Sequence, residues 1–337
     1  MIRKNHRPLY REVVAQAMKI AWHERQWWVL ALFAGILQTG GVYDAILVFT
    51  KRMADESYSI VASASLSAII NQLPILNVSS LNAFLISLMS FERLVFFVGL
   101  VLVIITLSLI AQGALISGVG ERLRGRSRSL QSALALGARH VWSIAGLNLI
   151  TLGLLWFARF LVLVPVMLAW QGLTLSHVLS YFLAFIIFLA ASIFLTTMHL
   201  FALNEIVLHG LSLEQALESA LSLRRKSWVI ILETGLVLLV VGAAILFFSG
   251  LLFAIASLPL IVLMLSASLL HQVALFWIAY TLGWFFFTAI LLLAGMFTIT
   301  FYYATWNKLH ARIREGRVAA KFHRLLHWIH SLHPSQF

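Results

Sequence analysis

The chain is poor in charge. Of its 337 residues only 11% are Asp, Glu, Lys or Arg, against 61% hydrophobic. A soluble domain carries about 25% charged residues, because a water-facing surface needs them. So little charge cannot coat a soluble globule of this length, which leaves a polytopic membrane protein. Cysteine is absent, which removes disulfides, thiolate metal sites and cysteine nucleophiles. Aspartate occurs only as Asp44 and Asp55, too few for an Asp-rich phosphotransfer motif. Both fall near the outer ends of the expected spans, where they make no intramembrane dyad. There is no GxxxxGK phosphate loop, and His23-Glu24 lacks the second histidine of a zinc protease helix. Ser249-Gly250 lacks the glycine two residues earlier that an intramembrane serine protease carries. The expectation is a chain that is not an enzyme and holds no cofactor.

The charge that is present leans one way, 24 Lys and Arg against 12 Asp and Glu, for a formal +12. In so apolar a chain this excess fits the positive-inside bias of cytoplasmic loops and contact with anionic lipid, with no nucleic-acid partner needed. A helix crosses ~30 Å of hydrocarbon with about 20 apolar residues. Six segments qualify: Trp27–Phe49, Leu94–Val119, Trp142–Val166, Val178–Ala202, Trp228–Leu251 and Val273–Tyr303. With the N-terminus inside, the cytoplasmic parts hold 6 cations before Trp27, 5 from Arg122 to Arg139, 3 at Arg224–Lys226 and 6 after Tyr303. That is 20 of the 24. If Ile60–Met89 or Leu252–Leu270 also crossed, whole clusters would change sides, so both are expected at the outer interface, lying on it or dipping in. The N-terminal apolar segment starts too late for a signal peptide and is expected to be retained. The predicted class is all-α, a multi-pass inner-membrane protein with both termini in the cytoplasm.

The spans pair into three hairpins with the marks of one repeated unit, over about 9–125, 126–210 and 211–316. A cytoplasmic helical stretch ending at tryptophan precedes each odd-numbered span: Leu9 to Trp27 and Trp28, Ser129 to Trp142, Ser212 to Trp228. The last two open alike, as Ser129-Leu130-x-x-Ala133-Leu134 and Ser212-Leu213-x-x-Ala216-Leu217. Ser212 with Gln215 predicts a capping box, and cations close these helices favourably against the dipole. Pro74, Pro165 and Pro259, three of only five prolines, each follow an odd-numbered span, where proline stops or bends a helix. The helices are expected at the inner interface, with Leu and Ala in lipid and Arg, Gln and Glu in water. Residues 1–316 would form one membrane domain, with 317–337 a cytoplasmic amphipathic tail.

The run from Asn204 to Trp228, NEIVLHGLSLEQALESALSLRRKSW, resembles a segment of prokaryotic integral membrane proteins. These are the membrane domains attached to some glycerophosphodiester phosphodiesterases, and free-standing relatives of unknown role. Gly210, Ser212, Ala216, Leu217, Arg224, Arg225, Lys226 and Trp228 carry the match; Arg139 and Trp142 follow it more loosely. The resemblance covers about 25 residues and implies a prokaryotic membrane module. The soluble catalytic barrel would follow the last span, and only 34 residues follow Tyr303, so that enzyme is not expected.

Ionisable groups inside spans cost about 2.5–3.5 kcal/mol at mid-bilayer and are functional candidates by default. Arg159, about 25 Å up its helix from Trp142, can snorkel outward, as can Asp44. Glu233 lies five residues past Trp228, and Gln112, Asn148 and His199 fall at comparable inner depth, with Glu205 at the lip. Together they could line a polar site of a small-solute or lipid transporter; the alternative is interhelical hydrogen bonding. The leading expectation is a scaffold or accessory module whose cytoplasmic face binds anionic lipid or a protein partner. Its interface residues are Arg122, Arg124, Arg126, Arg128, Arg139, Trp142, Arg224, Arg225, Lys226 and Trp228. Ala31/Gly35 and Ala114/Gly118 are small-xxx-small pairs suited to helix packing within a monomer or a homo-oligomer.

In the tail, His323, His327 and His330 share one helical stripe opposite Phe322, Leu325, Leu326 and Ile329. Histidines at i and i+4 can share a metal, but no acidic residue or cysteine is near to complete a ligand set. An amphipathic helix on the inner leaflet accounts for the same pattern. A peptide of residues 317–337 titrated calorimetrically with zinc at neutral pH is therefore expected to give no heat at micromolar metal; a stoichiometric exotherm would make the stripe a metal site.

Overall fold

The structure is a computed structural model that describes residues 9–37, 91–126, 128–169 and 175–316. The outer part of the first expected span with Asp44, the 60–89 segment with Pro74, and the His-rich tail lie outside the described residues. Among the described residues all regular structure is helical. The elements are α1 (Leu9–His23), α2 (Gln26–Ile36), α3 (Phe91–Leu123), α4 (Leu130–Arg139), α5 (Val141–Ala169), α6 (Leu175–His209), α7 (Leu213–Leu269) and α8 (Val273–Arg314). Five helices, α3 and α5 to α8, contain stretches long and apolar enough to cross a membrane. They expose large apolar side chains along much of their length, such as Phe96, Leu149, Phe247 and Phe285, a surface that lipid and not water accommodates.

Two compact units emerge. The first gathers α1, the start of α2, α3 from Leu109, α4 to α6, α7 up to Phe247 and α8 from Phe297. The second includes α3 up to Ser108, α7 from Phe248 and α8 up to Met296. In the second unit α7 turns into α8 at His271, whose φ is +52°, with the Gln272 amide returning to the Ala267 carbonyl at 2.8 Å. Phe253 meets Phe287 edge-on at 5.1 Å, and the Trp284 indole donates to the Tyr280 hydroxyl at 3.0 Å. The segment 252–270 does not form a separate interfacial or re-entrant piece: α7 runs on through Pro259 to Leu269. Pro165 likewise falls inside α5. A proline removes one backbone hydrogen bond, and apolar helix-forming neighbours on both sides carry the helix across that gap.

The first unit is held by close approach of backbones. Gly137 of α4 meets Gly113 of α3: a methyl group on Gly113 would stand 2.8 Å from the Gly137 Cα, and one on Gly137 would stand 2.3 Å from the Ile110 carbonyl oxygen. Gly118 lies beneath the Trp27 indole, whose ring atoms would be 2.3–2.8 Å from an added Cβ. Ala114 beside it is fully buried, so the Ala114/Gly118 pair packs helices as its spacing predicts. Trp27 itself is therefore a core residue and not an interfacial one, in contrast to Trp142 and Trp228, which are exposed.

The helices expected to float on lipid are docked on protein instead. Ala17 and Ala21 of α1, Ala133 and Gly137 of α4, and Ala216 and Ala220 of α7 are all buried. Each pair is four residues apart, so small side chains stack on one face and let the helix seat against its neighbours. Leu130, Trp142 and Trp228 stay exposed. The local signals hold where they are purely local. The Ser212 amide donates to Gln215 Oε1 at 3.3 Å and the Gln215 amide to Ser212 Oγ at 3.4 Å, the predicted capping box. Ser129 caps α4 through the Ser132 amide. At Ser227 the backbone leaves helical geometry (φ −133°, ψ 22°), so the amphipathic opening of α7 and its apolar continuation meet at a kink one residue before Trp228.

Alanine at Gly118 or Gly137 is expected to destabilise the fold by about 1–3 kcal/mol, the usual cost of overpacking. The check is thermal unfolding of detergent-solubilised protein. Gly153→Ala, where an added Cβ meets nothing within 4 Å, should leave the melting temperature unchanged or raised. Adding Trp27→Leu to Gly118→Ala should recover part of the loss.

Candidate functional site

Glu205, one turn before the end of α6, is wholly buried. A lone carboxylate there would be prohibitively costly, so its partners define the site. His310 Nε2 lies 3.1 Å from its Oε1, and the Ser219 hydroxyl donates to the same oxygen at 3.2 Å. Arg314 Nη1 donates to Oε2 at 2.8 Å. His310 and Arg314 are four apart on the last turns of α8, and Ser219 sits in the opening of α7. One carboxylate thus ties the ends of three helices. α6 stops there because Gly210 takes φ +67°, a conformation open to glycine at little cost. The Leu211 amide then returns to the Glu205 carbonyl at 3.3 Å.

Further polar ties surround the cluster. Asn307, one turn before His310, donates from Nδ2 to the Ile116 carbonyl of α3 at 3.0 Å. Arg312 binds Glu12 of α1 at 2.5 Å, and Arg122 at the end of α3 pairs with Glu24 between α1 and α2. The basic ends of α3, α6, α7 and α8 and the helix α1 therefore meet in one polar layer. Between α3, α6 and α8 this layer leaves a cavity of about 610 Å³. Arg124, His209, Asn307, Lys308, Arg314 and Glu315 are among the residues that line it.

The polar residues predicted for an intramembrane site find different immediate partners. Gln112 and Asn148 pair with each other, Asn148 Nδ2 donating to Gln112 Oε1 at 2.8 Å. His199 Nδ1 meets the Thr151 hydroxyl at 3.1 Å, joining α6 to α5, which pack side by side. Glu205 belongs to the ion cluster, and Glu233 is half-buried on α7. Asn148 and Thr151 are three residues apart on α5, so the first two pairs lie on the same side of that helix.

Among the predicted interface residues, Arg126, Arg139, Arg225, Lys226, Trp142 and Trp228 are exposed, and Arg128 is half-buried. Arg122 is held by Glu24, and Arg124 binds Glu121 at 3.3 Å. Arg224 departs from expectation. Its guanidinium carbon lies 3.2 Å from the centre of the Phe194 ring, with Nε and Nη1 buried and without hydrogen bonds. It is a cation–π contact made by a half-buried arginine.

Sequence reasoning missed His310, Arg314, Asn307 and Ser219. The available signal was the Asn307-x-x-His310-x-x-x-Arg314 spacing, one helical face at the end of the last span, set against the acidic residue at the end of the fourth. Compared with known proteins, the chain matches no family model, no curated protein sequence and no solved structure.

Glu205→Gln leaves the Arg314 guanidinium without its counter-charge and weakens the acceptor facing His310 and Ser219. It is expected to cost about 3 kcal/mol, the lower end of the range for breaking a buried pair, because the Arg314 side chain is 45% exposed. Arg314→Gln, which removes the half-exposed partner, should cost about 1 kcal/mol or less. Melting temperatures of the two variants in one detergent give the comparison, and equal losses would contradict it.

Proposed function

We propose that this chain is a six-span inner-membrane module, built from three pseudo-repeated hairpins, whose cytoplasmic face binds anionic lipid and seats a protein partner. It is a scaffold and not an enzyme. The observation that carries this reading is the division of labour among polar groups in the first unit. Those in the core pair with one another, as Gln112 does with Asn148, His199 with Thr151 and Glu205 with His310 and Arg314. The cations Arg126, Arg139, Arg225 and Lys226, with Trp142 and Trp228, face outward at the basic end. Tryptophan beside arginine is the composition of a membrane–water interface, and each cation near an anionic leaflet is worth about 1 kcal/mol. A transporter would spend its polar side chains on a substrate path, and the core pairs here are occupied with one another.

Three observations support the hairpin repeat: a small-residue pair buried in each of α1, α4 and the opening of α7, a serine N-cap on the latter two, and a tryptophan following each. The same features give the G-x-S-x-x-x-A-L pattern a structural meaning: Gly210 ends one helix, Ser212 caps the next and Ala216 packs it. That supports placing the chain beside prokaryotic membrane domains of the kind attached to glycerophosphodiester phosphodiesterases. Cations gathered at the ends that meet α1 support a cytoplasmic location for that end.

The cysteine-free sequence makes the test direct. Gln131→Cys and Ser222→Cys, both at exposed positions, should resist a membrane-impermeant maleimide in intact cells and react after permeabilisation. Reconstituted in vesicles, they should react several-fold more slowly when phosphatidylglycerol replaces phosphatidylcholine. Labelling in intact cells would reverse the orientation, and equal rates in the two lipids would remove the lipid-binding face.

A further inference from the structure

The cavity at the meeting of α3, α6 and α8 has a lining that the paired core does not explain. Arg124, Lys308 and Arg314 bring three permanent cations to it against one lining carboxylate, Glu315. Arg314 and Arg124 each commit one amino group to a carboxylate, to Glu205 at 2.8 Å and to Glu121 at 3.3 Å. Their side chains are nevertheless 45% and 47% exposed, which leaves the rest of each guanidinium fork for another acceptor. Lys308 makes no hydrogen bond or ion pair among the described residues. Beside these cations two polar side chains are fixed, Asn307 by the α3 backbone and His310 by Glu205, and Leu123 and Leu208 add apolar wall. At about 610 Å³ the cavity falls within the range of about 300–1,000 Å³ typical of small-ligand sites.

Planar guanidinium forks beside an ammonium form the donor set that recognises phosphate oxygens. The site opens at the ends of three helices that carry the apolar spans, the depth at which lipid headgroups lie, and basic pockets between membrane helices are established headgroup sites. We propose that this cavity binds a phosphate ester group, gripped by Arg124, Lys308 and Arg314, with the headgroup of an anionic phospholipid as its source. A soluble phosphate ester shares the same chemistry, and the test separates the two. The proposal deepens the reading of this face as lipid-binding by assigning one stoichiometric site in place of diffuse attraction.

The experiment is thermal unfolding of the full-length, detergent-solubilised protein titrated with phosphatidylglycerol, phosphatidylcholine or glycerol 1-phosphate. Phosphatidylglycerol is expected to raise the melting temperature saturably and phosphatidylcholine to leave it unchanged. The Arg124→Ala/Lys308→Ala variant should bind at least tenfold more weakly, while Arg225→Ala/Lys226→Ala, altered on the outer face, should bind as the parent does. Lys308→Met, which keeps the apolar stem, serves where the double variant unfolds without ligand, and it too should weaken binding. A saturable response to glycerol 1-phosphate equal to that of the lipid upholds the phosphate site and assigns it to a soluble ester. A phosphatidylglycerol effect that survives both cavity variants but falls with Arg225 and Lys226 overturns the cavity while leaving the lipid-binding face intact. No saturable response to either phosphate compound overturns the site itself.

Discussion

A carboxylate with no exposed surface at the end of a membrane-spanning helix is tolerable only if something of opposite charge is held against it. Glu205 therefore dictates where His310 and Arg314 must be, and with them the last turns of α8. The same oxygen that faces His310 accepts from Ser219, so the opening of α7 is fixed to the same point. The attachments around it depend on that placement. With α8 set, Asn307 reaches the backbone of α3 and Arg312 reaches Glu12 of α1. Coulomb energy in a low-dielectric interior is large and directional constraints are strict, which makes one buried ion a stronger organiser than many exposed pairs. The exposed cations at the same end have no comparable hold on the fold.

Close contact is the second constraint. Lipid tails are as apolar as leucine, so apolar burial alone gives membrane helices little reason to prefer each other over lipid. Preference has to come from packing and from polar pairs. Gly113 against Gly137, and Gly118 under Trp27, allow approaches that any Cβ would block. The alanines of α1, α4 and the opening of α7 do the same less tightly. These helices are amphipathic, yet the stripe they bury is mostly small residues, which is why they dock on the bundle while Trp142 and Trp228 stay exposed.

That distinction marks the limit of what was legible in the sequence. Span existence follows from hydropathy, and five of the six expected spans correspond to described helices because composition over about 20 residues is a strong signal. The Ser212–Gln215 box and the break before Trp228 were legible because they depend on residues within one turn. The burial of Ala17, Ala133 and Ala216 was not: hydropathy gives alanine the same value against lipid as against protein, and only the facing helix decides. The continuation of α7 through Pro259 was hidden for a related reason, since proline weakens a helix without ending it when both flanks are strong. The partners of the individual polar residues were not legible either. Depth can be counted along each helix, but the rotation that separates Gln112 and Asn148 from Glu205 is set by packing between helices.

The scarcity of charge connects these points. Between Glu233 and Lys308 no Asp, Glu, Lys or Arg occurs, so that long stretch contributes no ion pair to the architecture. Carboxylates are scarcer still, and at the basic end several are already committed: Glu205 to Arg314, Glu12 to Arg312, Glu24 to Arg122 and Glu121 to Arg124. The cations outnumber them there: Arg225 and Lys226 stand exposed, and at the cavity Lys308 joins two arginines that are each only partly engaged by a carboxylate. With 24 Lys and Arg against 12 Asp and Glu in the chain, the basic end carries a surplus of one sign, and anions from outside can balance it. At the end of a transmembrane bundle the most abundant anions are phosphates of the surrounding lipid. The same shortage of carboxylates thus bears on the fold, through Glu205, and on the lipid contact proposed for the basic end.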